Sequence, residues 1–163
     1  MKSYLLSALR QTFSEEEFRA FARSGGQHWL LWEPGGWTPP RRNHDTVTFN
    51  GSASEPAATT TGEALALVLA HKNQEDQVTL GRNAACDLTI NDGTLSQTHL
   101  VFMHNANGWT VRDAGSTNGS WVDGEKLLPG QPVVLKDGSR IQAAQVHLTH
   151  YDPEGLWERV RPL

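Results

Sequence analysis

Three short stretches of this 163-residue chain gather side chains suited to holding an anion and a peptide main chain. Gly81-Arg82 supplies a guanidinium, a planar fork of five N–H donors that stays charged. Ser96-Gln97-Thr98-His99 adds a hydroxyl, an amide and an imidazole within one turn. The run from Asp113 to Ser120 is crowded with Gly, Ser, Thr and Asn, more than the two residues that close a hairpin. Asn118 within it carries an amide that donates and accepts at once. Hydrogen bonds to a charged group contribute about 1.5–3 kcal/mol each. Two or three of them can retain a charged peptide against the entropy of ordering it.

Other chemistry is poorly served. Ser96, His99 and Asp113 are the residue types of a hydrolase triad. The chain has no G-x-S-x-G elbow and no alternation of helices with strands to carry one, so no catalytic residue and no enzyme activity is expected. His147 and His150 stand three apart in a strand-like run, which directs them to opposite faces and excludes a shared metal. Cys86 is the single cysteine, so there is no internal disulfide, and it reads as a small core residue. No metal or cofactor is implied.

The elements that must position these groups are strands. From residue 64 onward, short apolar or alternating runs alternate with turn signals every 8–12 residues, the spacing of an all-β sandwich or barrel. Asn107-Gly108, Asp123-Gly124 and Asp137-Gly138 read as hairpin turns, and 140–151 reads as one continuous run. Upstream, Leu5, Leu6, Leu9, Phe13, Phe18 and Phe21 recur at helical spacing over 3–23. Ser14 followed by Glu17 is a capping-box pattern that starts a second helix at Glu15. Trp29 to Trp32 must pack against something, as a short strand, before Pro34, Gly35, Gly36, Pro39 and Pro40 interrupt regular structure. The expected division is a helical, Trp-rich extension over 1–50, a linker over 51–63, a β domain over 64–151 and a tail over 152–163. In the tail, Pro153 to Val160 suits a short helix with Leu156, Trp157 and Val160 on one face.

Composition bounds the partners. The net charge is −4, with 6 Lys/Arg against 7 Asp/Glu in the first 64 residues and 8 against 11 in the rest. Neither part is basic, which argues against nucleic acid or a membrane surface and makes any anion site local. The first residues lack a secretory signal pattern and no stretch is long enough to span a bilayer, so a cytoplasmic location is expected.

The order GR, then a Cys-Asp strand, then SxxH, then D-x-GSTNG resembles the forkhead-associated (FHA) domain, a phosphothreonine-peptide reader, over about residues 64–151. The resemblance implies an FHA-type β-sandwich of about 10–11 strands behind the helical extension. It implies that Arg82, Ser96, Gln97, Thr117 and Asn118 line the phosphopeptide site, Asn118 holding the peptide main chain. Thr94 falls in the loop that often reads residues after the phosphothreonine, while Gly81, His99 and Gly119 are architectural. Gln97 stands where many relatives carry a cation or Asn, so it adds a hydrogen bond but no charge; Ser120 and Asp123 replace the usual Thr and Asn. The implied partners are Thr-phosphorylated proteins or a Ser/Thr kinase, and the compact layout resembles bacterial members. Thr59-Thr60-Thr61 resembles the phosphorylatable motif by which some bacterial members occupy their own site. The alternative is a degenerate domain that binds a partner without phosphate, through its helices and tryptophans.

Overall fold

A computed structural model describes residues 3–23, 27–32, 64–69, 77–106 and 108–161. The expected linker 51–63, with Thr59, Thr60 and Thr61, lies outside the described residues, as do Asn107 and the Pro/Gly stretch after Trp32.

Twelve strands form two sheets. The first has the order β1 (Ser3–Leu5), β3 (Leu65–Val68), β2 (Trp29–Trp32), β12 (Val146–Tyr151), β11 (Arg140–Ala143), β8 (Ser120–Val122) and β9 (Glu125–Lys126). The second runs β10 (Val133–Val134), β7 (Gly108–Asp113), β6 (Leu100–Asn105), β4 (Gln77–Gly81) and β5 (Leu88–Thr89). All pairings are antiparallel except β4 with β5. The all-β sandwich read from the sequence is the fold. It has a strand or two more than the resemblance implied, because β1 and β2 come from residues that the sequence division places in the extension.

Three helices cover the outer face of the first sheet: α1 (Leu6–Thr12), α2 (Glu15–Arg23) and α3 (Pro153–Val160). The capping box at α2 forms as expected: Ser14 N–H donates to Glu17 at 2.7 Å and Glu17 N–H donates to Ser14 Oγ at 3.3 Å. Helix α3 opens with Pro153 behind Asp152, whose carboxylate accepts from Gly155 N–H at 2.8 Å. The helical reading of 3–23 needs one correction. Ser3–Leu5 is a strand, because pairing with Leu65–Leu67 gives its backbone a partner that an isolated helix start would lack.

The helical layer explains why WLLW and LALV are continuous apolar runs rather than alternating ones. Both strands are buried on both faces. Leu30, Trp32, Leu65 and Leu67 face the core between the sheets with Phe102, Val111, Ile141 and Leu148. Trp29, Leu31, Ala66 and Val68 face the helices, where they meet Leu9, Phe18, Leu156 and Val160. The Phe18 ring lies 5.6 Å from that of Trp29 and 5.5 Å from that of Trp157. Replacing Phe18 with Ala should lower the stability of the whole sandwich by about 3–5 kcal/mol in one cooperative transition. Urea denaturation followed by far-UV dichroism checks this; an unmoved main transition would show that the helices are an independent appendage.

Candidate phosphopeptide site at the loop end of the sandwich

Three loops and one turn meet at one end of the sandwich. They are 82–87 after β4, 90–99 before β6, 114–119 between β7 and β8, and the Ala144-Gln145 turn between β11 and β12. The sequence reading took 140–151 as a single run and missed that turn, which carries no Gly or Asn signal; Ala144 adopts φ +52. Its conformation is held from outside. Ala144 N–H donates to the Gly119 carbonyl at 3.0 Å and Gln145 N–H to Thr94 Oγ at 3.4 Å.

Gly81 fixes the first two loops together. Arg82 N–H donates to the Ser96 carbonyl at 3.0 Å and Asn83 N–H to that of Gln97 at 3.1 Å. A Cβ on Gly81 would stand 2.3 Å from Gln97 O and 2.9 Å from Thr98 Cα, all backbone, so only glycine permits this approach.

His99 ties the second loop to the third. It is fully buried. Nδ1 accepts from Ser96 N–H at 3.1 Å, so the proton sits on Nε2, which donates to the Gly119 carbonyl at 2.9 Å. Burial holds its pKa below the ordinary value, against the opposing pull of the Gly119 carbonyl and Asp113. Both ring nitrogens are occupied by backbone groups. Neither faces Ser96 Oγ or the Asp113 carboxylate, so these residues form no proton relay.

Asp113 organises the third loop. Its carboxylate accepts from Gly115 N–H and Ser116 N–H at 2.9 Å each, from Ser116 Oγ–H at 2.5 Å and from Ser120 Oγ–H at 2.6 Å. Burial pushes its pKa up, but the bonds from Ser116, Ser120 and Gly115 outweigh that and leave it lowered. Ser116 Oγ in turn accepts from Gly119 N–H at 3.0 Å, and Gly119 takes φ +86. The small residues of this loop thus make one closed network rather than a solvated turn.

The groups singled out from the sequence stand on these locked loops. Arg82 and Gln97 are exposed, and their side chains bond to no described residue. Ser96 Oγ accepts from Thr117 N–H at 3.1 Å, which leaves its own proton to donate. Thr117 is exposed. Asn118 Nδ2 donates to the Thr94 carbonyl at 2.7 Å, leaving Oδ1 without a described partner. Thr94 is engaged internally: its hydroxyl donates to Asp92 at 2.6 Å and accepts from Gln145 N–H. Sequence reasoning missed the roles of Asp92 and Ala144, because a buried Asx turn and a left-handed alanine leave no distinct local pattern.

Cys86, His28, His147 and His150 are held within the fold. Cys86 is buried, with Sγ 3.2 Å from the Gln97 carbonyl beneath the site loops. His147 and His150 lie on opposite faces of β12, as expected. His150 Nδ1–H donates to the Lys136 carbonyl at 2.8 Å, so its Nε2 accepts from His28 Nδ1–H at 2.9 Å. Burial lowers the pKa of His28 and of His147 to about 4 and also lowers that of His150. With His99, four imidazoles are held neutral in the fold and regain an ordinary pKa of about 6.5 when unfolded. Their contribution is complete above that value and is lost as pH falls below it, down to about 4 for His28 and His147. Each adds a slope of up to about 1.4 kcal/mol per pH unit in that window. Asp92 and Asp137, raised by burial, offset part of the loss at its acid end. Urea midpoints should therefore fall clearly between pH 7.5 and pH 5; a flat profile would show that the histidines protonate freely in the fold.

Known proteins resemble this chain in sequence and in fold. The FHA domain model matches residues 78–144. An oxoglutarate dehydrogenase inhibitor of Corynebacterium efficiens is 32% identical over 112 residues, covering 61% of this chain and 77% of that one. The inhibitor of the same name from Corynebacterium jeikeium is 32% identical over 74 residues, which is about half the length of either chain. Two solved structures share the fold. An FHA domain from Arabidopsis thaliana has a TM-score of 0.52 at 20% identity, covering 77% of this chain and 85% of that one. A chain solved in a study of phosphothreonine-dependent FHA interactions has a TM-score of 0.50 at 17% identity, covering 84% and 99%. With a two-sheet sandwich, three ordered motifs on its loop end and a relative matched over three-quarters of its length, this chain is a member of the FHA family and a binding module rather than an enzyme.

Proposed function

We propose that the chain is a phosphothreonine-dependent interaction module, an adaptor in Ser/Thr kinase signalling. The observation that carries this reading is the contrast at the loop end. The loop backbones are fixed by His99, Asp113 and Gly81, while the donors of Arg82, Ser96, Gln97 and Thr117 and the Asn118 carbonyl have no described partner in which to spend themselves. Preformed donors bind an anion without the entropic cost of ordering a loop. Arg82 supplies the charge, in a protein whose overall charge of −4 does not attract anions by itself. Ser96, Gln97 and Thr117 add neutral hydrogen bonds to the phosphate oxygens. Asn118 Oδ1 accepts from a peptide N–H. Binding through one cation and several neutral donors gives modest affinity, suited to reversible signalling.

The named function of the Corynebacterium relatives is inhibition of oxoglutarate dehydrogenase. That supports a regulatory role here, with a Thr-phosphorylated protein or a kinase as the cytoplasmic partner. Titration with a degenerate phosphothreonine peptide library should give micromolar binding that is lost without the phosphate and reduced at least tenfold by Arg82→Ala. Binding indifferent to both would instead favour a domain that recognises a partner without phosphate.

The strand register bears on Thr59-Thr60-Thr61. Leu65 pairs with Trp32 and Trp32 with Leu148, at the end of the sheet where β11 and β12 turn onto Gly119. Residue 64 therefore joins the sheet at the site end. Thr61 is three residues and Thr59 five residues from it, a reach of about 10 to 18 Å for extended chain, while the loop before β8 lies four strand spacings away, about 19 Å, so Thr59 comes nearest to spanning it. A phosphate placed on one of these threonines would meet the site at high local concentration. Kinase treatment should then block the added peptide, and replacing all three threonines with Ala should restore binding; a block that survives the triple replacement rules the self-occupancy out.

A further inference from the structure

The outer face of β8 adjoins the site and is not used by it. Ser120 and Val122 point inward and are buried, while Trp121 between them is half-buried on the opposite face. Trp121 stands opposite Lys126 of β9. The Lys126 ammonium lies 5.9 Å from the indole centroid, within cation–π range, and it makes no ion pair with a described residue. Gly119 joins this pair to the loop. A Cβ on Gly119 would stand 3.1 Å from Trp121 Cη2 and 3.5 Å from Lys126 Cε. The bare Gly119 backbone, the indole edge and the lysine stem therefore form one continuous surface that begins one residue after Asn118.

We infer that Trp121 and Lys126 form a second recognition element of the peptide site, taking an acidic side chain that flanks the phosphothreonine. The inference rests on the phosphothreonine reading, since it needs a peptide whose main chain is held at Asn118. An extended peptide advances about 3.3 Å per residue, so residues next to the one held at Asn118 pass over the indole. Lysine offers three donors and no acceptor, which selects a carboxylate over an amide or a second cation. The ring restrains the ammonium, so less side-chain freedom is lost when a carboxylate pairs with it than for a free surface lysine. Glycine at 119 keeps the approach open, because a side chain there would crowd the Trp121 ring and lie against the Lys126 stem.

The test is an oriented phosphothreonine library with degenerate flanking positions, offered to the intact protein and to its Lys126→Glu, Trp121→Leu and Arg82→Ala variants. The unaltered protein should enrich Asp and Glu about two- to fivefold at one flanking position. Lys126→Glu should replace that preference with Lys and Arg at the same position, and Trp121→Leu should weaken it, while both still require the phosphate. Lys126 is exposed, so its replacement leaves the fold intact. Phosphate-dependent binding with no acidic preference, or with one that Lys126→Glu leaves unchanged, overturns the inference and leaves the phosphothreonine reading standing. Loss of all phosphate dependence in the unaltered protein overturns both.

Discussion

The loop end of this protein depends on one imidazole. His99 is buried, neutral and satisfied at both nitrogens, and those two bonds run to different loops. A ring with one donor and one acceptor in fixed geometry can join a backbone N–H to a backbone carbonyl, which no amide-free apolar side chain can do. The bond from Ser96 N–H also fixes where the Ser96 hydroxyl sits, and that hydroxyl receives Thr117 N–H. The carbonyl at the other end, that of Gly119, also accepts from Ala144 N–H. His99 thus sets the separation of Ser96 from Asn118. Low local dielectric strengthens both bonds and makes a second proton on the ring costly.

The strut works only because the scaffold beneath it is rigid. Its own backbone is continuous with the sheet: His99 N–H donates to the Leu80 carbonyl and its carbonyl accepts from Ala114 N–H. Strands β4, β6 and β7 therefore present their loops in register. The other sheet is pressed against them through a core that includes Leu80, Leu100, Phe102, Val122 and Ile141. Strand β2 widens that sheet, and the helical layer over it supplies the second apolar face that a doubly buried strand requires. Trp29 to Trp32 are thus structural mass in the sandwich, and the helices cover one of their two faces.

Much of this was legible in the residues, for reasons that differ by element. The capping box at Ser14 and Glu17 and the α3 start at Pro153 are local patterns whose partners lie within four residues, so sequence spacing reads them directly. The three site motifs were read through their order's resemblance to a known family, and the structure brings their loops to one end of the sandwich. The strand at Ser3–Leu5 was not, because its partner lies 60 to 64 residues away and its composition suits a helix equally well. The β sandwich was legible from turn spacing, and WLLW and the run from residue 64 were read as strands; what a continuous apolar run could not show is which two layers bury its two faces.

The Ala144-Gln145 turn shows what spacing cannot supply. A left-handed alanine is disfavoured on its own, and glycine or asparagine would relieve it. The conformation stands because Ala144 N–H reaches Gly119 and Gln145 N–H reaches Thr94. The strain is local and the compensation is tertiary, which is the pattern of a site that the surrounding structure over-determines. Through these two bonds the β11–β12 hairpin braces both the loop that bears Thr94 and the loop that bears Asn118, and Asn118 closes the ring by donating to the Thr94 carbonyl. The turn is short and lacks a flexible residue for the same reason that it is hard to read: it serves as a stop against which the two loops are set.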